Sequence, residues 1–322
     1  MAHPRRWFVS LCLAAALPGG AGAAEEYPTR PIRMLVGFAP GGGTDLTARP
    51  VAQKLGELLG QQVIVENRPG VGGNIATELV VRAAPDGYTL LMGTIAALSI
   101  NPTLSRDLTF DPEKDLAPII QVVDVANVLA LHPSVPANSV KELIALAKQR
   151  SLSAGSSGIG ATGHLSIELF NLLAGVKLVH VPYKGGGPAM TDLVGGQVDL
   201  VFATTASAGP QMKGGRIKGI AVTTARRSAL MPELPTVAEA GVPGFEVNNW
   251  YGLVAPAKTP RAIIDRLNAE TTKVLNSPEV KATLYGQGLD PAPGTPEQFG
   301  AYIRSERIKW AKVIRDSGAK AE

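Results

Sequence analysis

Short apolar runs alternate with helix-length amphipathic segments along most of the chain, and the links between them are repeatedly rich in glycine. A chain patterned this way buries its strands between helices, which predicts a parallel α/β architecture. Ile32 to Phe38 reads as a buried strand and Thr44 to about Leu59 as a helix. The strand Gln62 to Glu66, the helix Asn74 to Ala84, the turn Pro85-Asp86-Gly87 and the strand Tyr88 to Gly93 follow. The same alternation returns with strands at Val128 to Leu131, Leu152 to Ala154, Leu178 to Val181, Val198 to Phe202 and Ile217 to Val222. Between them lie helical patterns at Ser139 to Gln149, Gly163 to Leu173 and Ala189 to Val194. The C-terminal third is mainly helical: Arg261 to Leu275, Pro278 to Gln287 and Pro296 to Asp316.

At 322 residues the chain has room for two cores. Connecting segments near Val123-Asp124-Val125 and Val247-Asn248-Asn249 predict a hinge. Lobe 1 would then comprise residues 25–124 and 247–322, with lobe 2, residues 125–246, inserted into it. The first two dozen residues stand apart. Arg5 and Arg6, the apolar run Trp7 to Leu17 and the small residues Ala21 to Ala24 form the three-part pattern of a secretory signal over residues 1–24. The run is shorter than the ~20 apolar residues that span a bilayer, and Pro18-Gly19-Gly20 breaks it.

Removing that leader takes away two arginines and no acid, so the net charge falls from +4 to +2. So small and dispersed a charge does not favour nucleic acid. Cys12 is the only cysteine and lies in the leader, leaving no disulfide and no cysteine metal site. His132, His164 and His180 form no spaced ligand cluster, so neither a metal nor another cofactor is expected.

Three glycine-rich loops carry what chemistry the sequence shows. The first, Phe38 to Asp45, joins a strand to a helix through Gly41-Gly42-Gly43. The first amides of a helix have no intrahelical partner, the dipole is positive there, and glycines let a ligand reach bare backbone. This predicts an anion site, in which a side chain at Gly42 would block approach and resist a positive φ. The second loop, Gly155 to His164, contains Gly158-Ile159-Gly160 and Gly163 with Ser156 and Ser157. His164 and Glu168 read as an i, i+4 surface or core pair. The third, Tyr183 to Pro188, mirrors the first, so Phe38 and Tyr183 could flank a ligand held between two jaws. No Lys-Ser/Thr follows the first glycines, and no acid lies about twenty residues beyond the second loop, so nucleotide motifs are absent. Asp45 and Asp192 each suit the first turn of a helix, and nothing supplies a nucleophile, base and orienting group together.

The chain resembles the Bug family of extracytoplasmic receptors, the binding proteins of tripartite tricarboxylate transporters. The resemblance is carried by Tyr27 to Ile32, Phe38 to Asp45, Glu66 to Gly70 with Gly72-Gly73, Pro85 to Leu90, Pro182 to Gly186, Gly195-Gln197-Val198-Asp199, and Trp250-Tyr251-Gly252 with Ala255-Pro256. It implies a type II periplasmic binding fold, two α/β lobes closing about a hinge like a Venus flytrap. It implies a periplasmic monomer that takes a small organic acid and serves membrane permease subunits. The ligand-binding positions it implies are Phe38, Gly42, Gly43, Thr44, Asp45, Thr94, Ala96, Ser156, Ser157, Gly158, Thr162, His164, Tyr183, Gly185, Thr204 and Thr205. Many relatives carry an acid after the strand ending at Phe202, where this chain has Ala203-Thr204-Thr205. That departure favours a carboxylate without an amine. A ligand sensor feeding a signalling system and an exported α/β enzyme are the alternative functions.

Overall fold

The computed structural model describes residues 1, 3, 27–105, 107–228 and 231–317. Apart from residues 1 and 3, the segment read as a leader lies outside the described residues. The chain begins with β1 (Ile32–Val36), α1 (Gly43–Leu59), β2 (Val63–Asn67), α2 (Asn74–Val81) and β3 (Thr89–Thr94). A π-helical turn over Ala96–Ile100, the short helices α3 (Asn101–Leu104) and α4 (Pro112–Asp115), and β4 (Leu116–Val125) follow. Next come β5 (Asn127–Leu131), α5 (Val140–Gln149), β6 (Ser153–Ser156), α6 (Thr162–Ala174), β7 (Val179–Pro182), α7 (Gly186–Val194), β8 (Leu200–Thr204), α8 (Thr205–Lys213) and β9 (Lys218–Val222). The last stretch is β10 (Asn249–Pro256), α9 (Arg261–Asn276), α10 (Pro278–Gly286), β11 (Leu289–Pro291) and α11 (Pro296–Ser317).

These strands form two sheets, ordered β11-β4-β10-β3-β1-β2 and β7-β6-β8-β5-β9. The α/β class holds, but the sheets are mixed and not parallel throughout. The βα repeats supply the parallel pairs β1 with β2 and β3, and β6 with β7 and β8. The antiparallel strands are those beside the passages between sheets. β10 runs against β3 and β4, and β5 against β8 and β9. Only Ala126 separates β4 from β5. On the return, Thr223 and Val247 exchange two hydrogen bonds before β10 re-enters the first sheet. A strand that re-enters this way takes its direction from where the passage ends, which local periodicity does not report.

Apart from the exposed Arg33, β1 is buried on both faces, as a strand covered by helices is. Val51 and Leu55 of α1 share one core with Ile32, Met34 and Val36. Leu35 belongs to a second core, which also takes in Trp250, Phe299 and Trp310. Trp250 meets Phe299 of α11 edge to face, with ring centroids 5.4 Å apart.

Gly252 in β10 is small for a local reason. A Cβ there would collide with the Phe299 ring and stand 2.8 Å from the Ile120 carbonyl oxygen. Gly252→Ala should destabilise the fold by about 1–3 kcal/mol, as overpacked cores do. Urea unfolding followed by circular dichroism checks it, and an unchanged midpoint would mean that α11 does not press on this strand.

Candidate ligand cleft

The two sheets face each other across a cleft, and the glycine loops of both sides meet over it. The Ala39 N–H donates to the Lys184 carbonyl at 3.0 Å. A Cβ on Gly42 would lie 3.2 Å from the Gly186 nitrogen, so the two loops touch backbone to backbone. Lower down, the Thr205 hydroxyl of α8 donates to the Gly288 carbonyl beside β11. The jaws are therefore closed. Gly42 has φ −85°, an ordinary value for any residue. The expectation of positive φ fails at Gly42 and applies to Gly41, at +82°. Gly42 is needed for close approach alone.

A narrow, partly enclosed space lies between the jaws. Nine of the positions the resemblance pointed to line it: Phe38, Gly42, Gly43, Thr44, Thr94, Ala96, Ser157, Thr162 and Thr204. The other seven lie outside that lining. Asp45 is buried and turned into the loop, accepting from the Gly41 N–H, from Asn67 and from both forks of Arg49. Burial alone would raise its carboxyl, but those bonds outweigh it and hold the group below its usual range. Asn67 also donates to the Phe38 carbonyl, so Asp45 and Asn67 together shape the first loop. Ser156 is fully buried and bonds His180 Nε2 at 2.6 Å. His164 is buried, accepts from the Gly160 N–H and stacks on His180, with ring centroids 4.4 Å apart. Its Nε2 lies 3.9 Å from Glu168, the pairing read from their spacing. The Tyr183 hydroxyl donates to Asp192 at 2.6 Å, which takes its ring away from the cleft lining and gives Asp192 a structural role. Gly185 packs on Ala39, Gly158 on the Tyr183 carbonyl, and the Thr205 hydroxyl is spent on Gly288.

Sequence reasoning missed Ile95, Asn127, Ala161, Gly186, Val201, Phe202, Ala203, Asn249 and Tyr251, all of which line the cleft. Asn249 belongs to one predicted hinge segment, Asn127 lies two residues past the other, and Tyr251 belongs to the Trp250-Tyr251-Gly252 motif. Those were the available signals. The buried Tyr251 hydroxyl lies at the start of α1, close enough that a Cβ on Gly43 would stand 2.8 Å from it. Burial pushes this phenol up to about 12, with bonds from Thr44 and Asn249 opposing, so it serves as a neutral donor.

The lining contains no Lys, Arg, Asp or Glu. Its polarity comes from uncharged side chains and from backbone. The starts of α1, α6, α7 and α8 all reach the cleft, through Gly42 to Thr44, Ala161 and Thr162, Gly186, and Thr204. None of these four helices has a side-chain cap, which is also true of α2, α9 and α10, so what sets them apart is their convergence on the cleft. The Thr205 N–H goes to the Ala126 carbonyl. The remaining first-turn amides suit an anion, each helix start acting as roughly half a positive charge. Among the described residues no group of three His, Cys, Asp or Glu could hold a metal, and no helix is long and apolar enough to cross a membrane.

Two sheets with their helices closing on a cleft of uncapped helix starts define a protein of the periplasmic-binding class. The chain belongs to the tripartite tricarboxylate transporter receptor family: residues 47–319 match the family described as "Tripartite tricarboxylate transporter family receptor". It is 38% identical to protein BugT of Bordetella pertussis over 301 residues, 92% of each chain. Among solved structures it resembles R. palustris Rpa4515 with adipate, at 38% identity and TM-score 0.89, covering 91% of this chain and 99% of that one. It also resembles MatC from Rhodopseudomonas palustris with bound malate, at 31% identity and TM-score 0.86, covering 89% and 100%. The family and fold expected from the sequence are thereby established.

The buried histidine pair predicts a loss of stability in acid. Burial, and then His164 beside it, lowers His180 from 6.5 to about 4. A group with a depressed basic pKa is charged more readily when unfolded. Its contribution is whole above pH 6.5 and is lost as pH falls through about 4, in all on the order of 2–3 kcal/mol. His180→Gln should therefore lose less stability than the wild type between pH 7 and 4.5. Urea midpoints across that range measure it, and equal slopes would acquit His180.

Proposed function

We propose that this protein is an exported receptor, and not an enzyme, that captures a small carboxylate-bearing solute and presents it to a tripartite tricarboxylate transporter permease. The observation that carries this reading is the convergence of four uncapped helix starts on a cleft without ionised side chains. Such a site holds a carboxylate through amides and hydroxyls and releases it on opening, because no salt bridge must be broken. Adipate and malate, the ligands of two similar receptors, are both of this class. The Ser156–His180 pair is no obstacle to this reading, because Ser156 is buried and outside the cleft lining.

The lobes in this reading are residues 25–124 with 247–322, and 125–246, hinged where the chain changes sheet. Residues 1–24 direct export to the periplasm, where the receptor acts as a monomer. The ligand is a non-amino acid, because no carboxylate lines the cleft to meet an ammonium group.

Isothermal titration against mono-, di- and tricarboxylates, aromatic acids, aspartate and glutamate tests the class. Binding of aspartate or glutamate with no response to simple acids would sink it. Gly43→Ala should weaken binding of the best acid by at least about tenfold, since its Cβ would stand 2.6 Å from Thr204 Oγ1 inside the cleft. Small-angle scattering should show a smaller radius of gyration on ligand addition, through closure of the lobes.

A further inference from the structure

Two buried polar atoms of the cleft lining lack a partner: Asn127 Oδ1 and Thr94 Oγ1. Asn127 is 1% exposed. It is the first residue of β5, one residue past the passage between sheets, and its carbonyl accepts from the Thr223 N–H. Its backbone is thus held from several sides. Its Nδ2 donates to Thr162 Oγ1 at 3.3 Å, which leaves Oδ1 as an acceptor without a donor. A buried acceptor of this kind is costly unless something supplies a proton.

We infer that Asn127 is a specificity-determining residue that reads a hydroxyl group on the ligand's carbon chain, so that the receptor selects hydroxy-carboxylic acids over their unsubstituted counterparts. A carboxylate oxygen only accepts, so it cannot satisfy Oδ1 and is repelled by it. An ammonium group could donate, but the acid-free lining offers nothing to balance its charge. A hydroxyl donates to Oδ1 and remains neutral. Turning the amide over would let Thr162 donate to Oδ1 and would present Nδ2–H to the ligand instead. A hydroxyl and a carboxylate oxygen would accept that N–H alike, so selection of a hydroxyl belongs to the orientation that turns Oδ1 to the ligand. The carboxylate end is left to the amides at the helix starts, where the lining is richest in free donors.

This inference rests on the carboxylate reading, and the test separates the two. Succinate with malate, glutarate with 2-hydroxyglutarate, and adipate with 3-hydroxyadipate form matched pairs, each hydroxy acid in both enantiomers. Titration calorimetry at pH 7.5 on the wild type should find one hydroxy acid bound about tenfold to a hundredfold more tightly than its partner. In Asn127→Ala the ratio should fall below about threefold whatever the change in absolute affinity, with circular dichroism reporting an intact fold. Asn127→Leu, closer in volume, serves if the smaller side chain does not fold. Equal affinities within every pair in the wild type would overturn the role of Asn127 and leave carboxylate binding standing. A preference that persists in the folded variants would assign the hydroxyl to another residue. Failure of every acid to bind would overturn both readings.

Discussion

The cleft depends on two stretches of bare backbone meeting. Gly42 and Gly186 approach within van der Waals distance, and the Ala39 N–H bonds the Lys184 carbonyl beside them. Beside it, a side chain at Gly185 or Gly187 would collide with the backbone of Ala39 or Pro40 and hold the jaws apart. With the jaws together, helix starts from both sheets enclose one small volume, and amides that water would otherwise satisfy become its polar lining. Closure and lining are therefore one event: the loops that touch lead into helix starts that line the cleft.

Charged groups are kept out of this volume but are used to shape it. Asp45 is buried one residue from the lining residue Thr44, and its carboxylate is consumed by Arg49, Asn67 and the Gly41 amide. Asp192 is similarly taken by Tyr183. Each acid holds a jaw loop or its neighbour in shape. A lining of neutral donors binds an anion without a fixed countercharge, which suits a receptor that must also let go.

The sequence made the βα repeats legible because helix and strand periods differ, and because three glycine runs sit where strand passes to helix. Elements such as α5, with Ser139 as its cap, could be placed closely from local signals alone. β10 was not recognised as a strand, and the mixed sheets were read as parallel. Strand direction is set by where a returning chain re-enters, a long-range matter. Among site residues, the glycine loops and Thr94, Ser157, Thr162 and Thr204 were within reach of motif reasoning. Tyr183, His164 and Ser156 looked equally suitable, yet each found a nearer partner in Asp192, His180 or Gly160.

By itself the sequence determined the class of chemistry: backbone amides at glycine-rich helix starts, with no spaced catalytic or metal-binding set. Those are local properties, fixed by residue type and by position relative to a helix. Only the tertiary structure decided which side chains face the cleft. Asn127, Asn249 and Tyr251 arrive there from three points on the passages between sheets, and Asp45 turns away although it adjoins Thr44. Side-chain direction where the chain passes between sheets depends on how the two sheets pack, and no single segment of the chain carries that information.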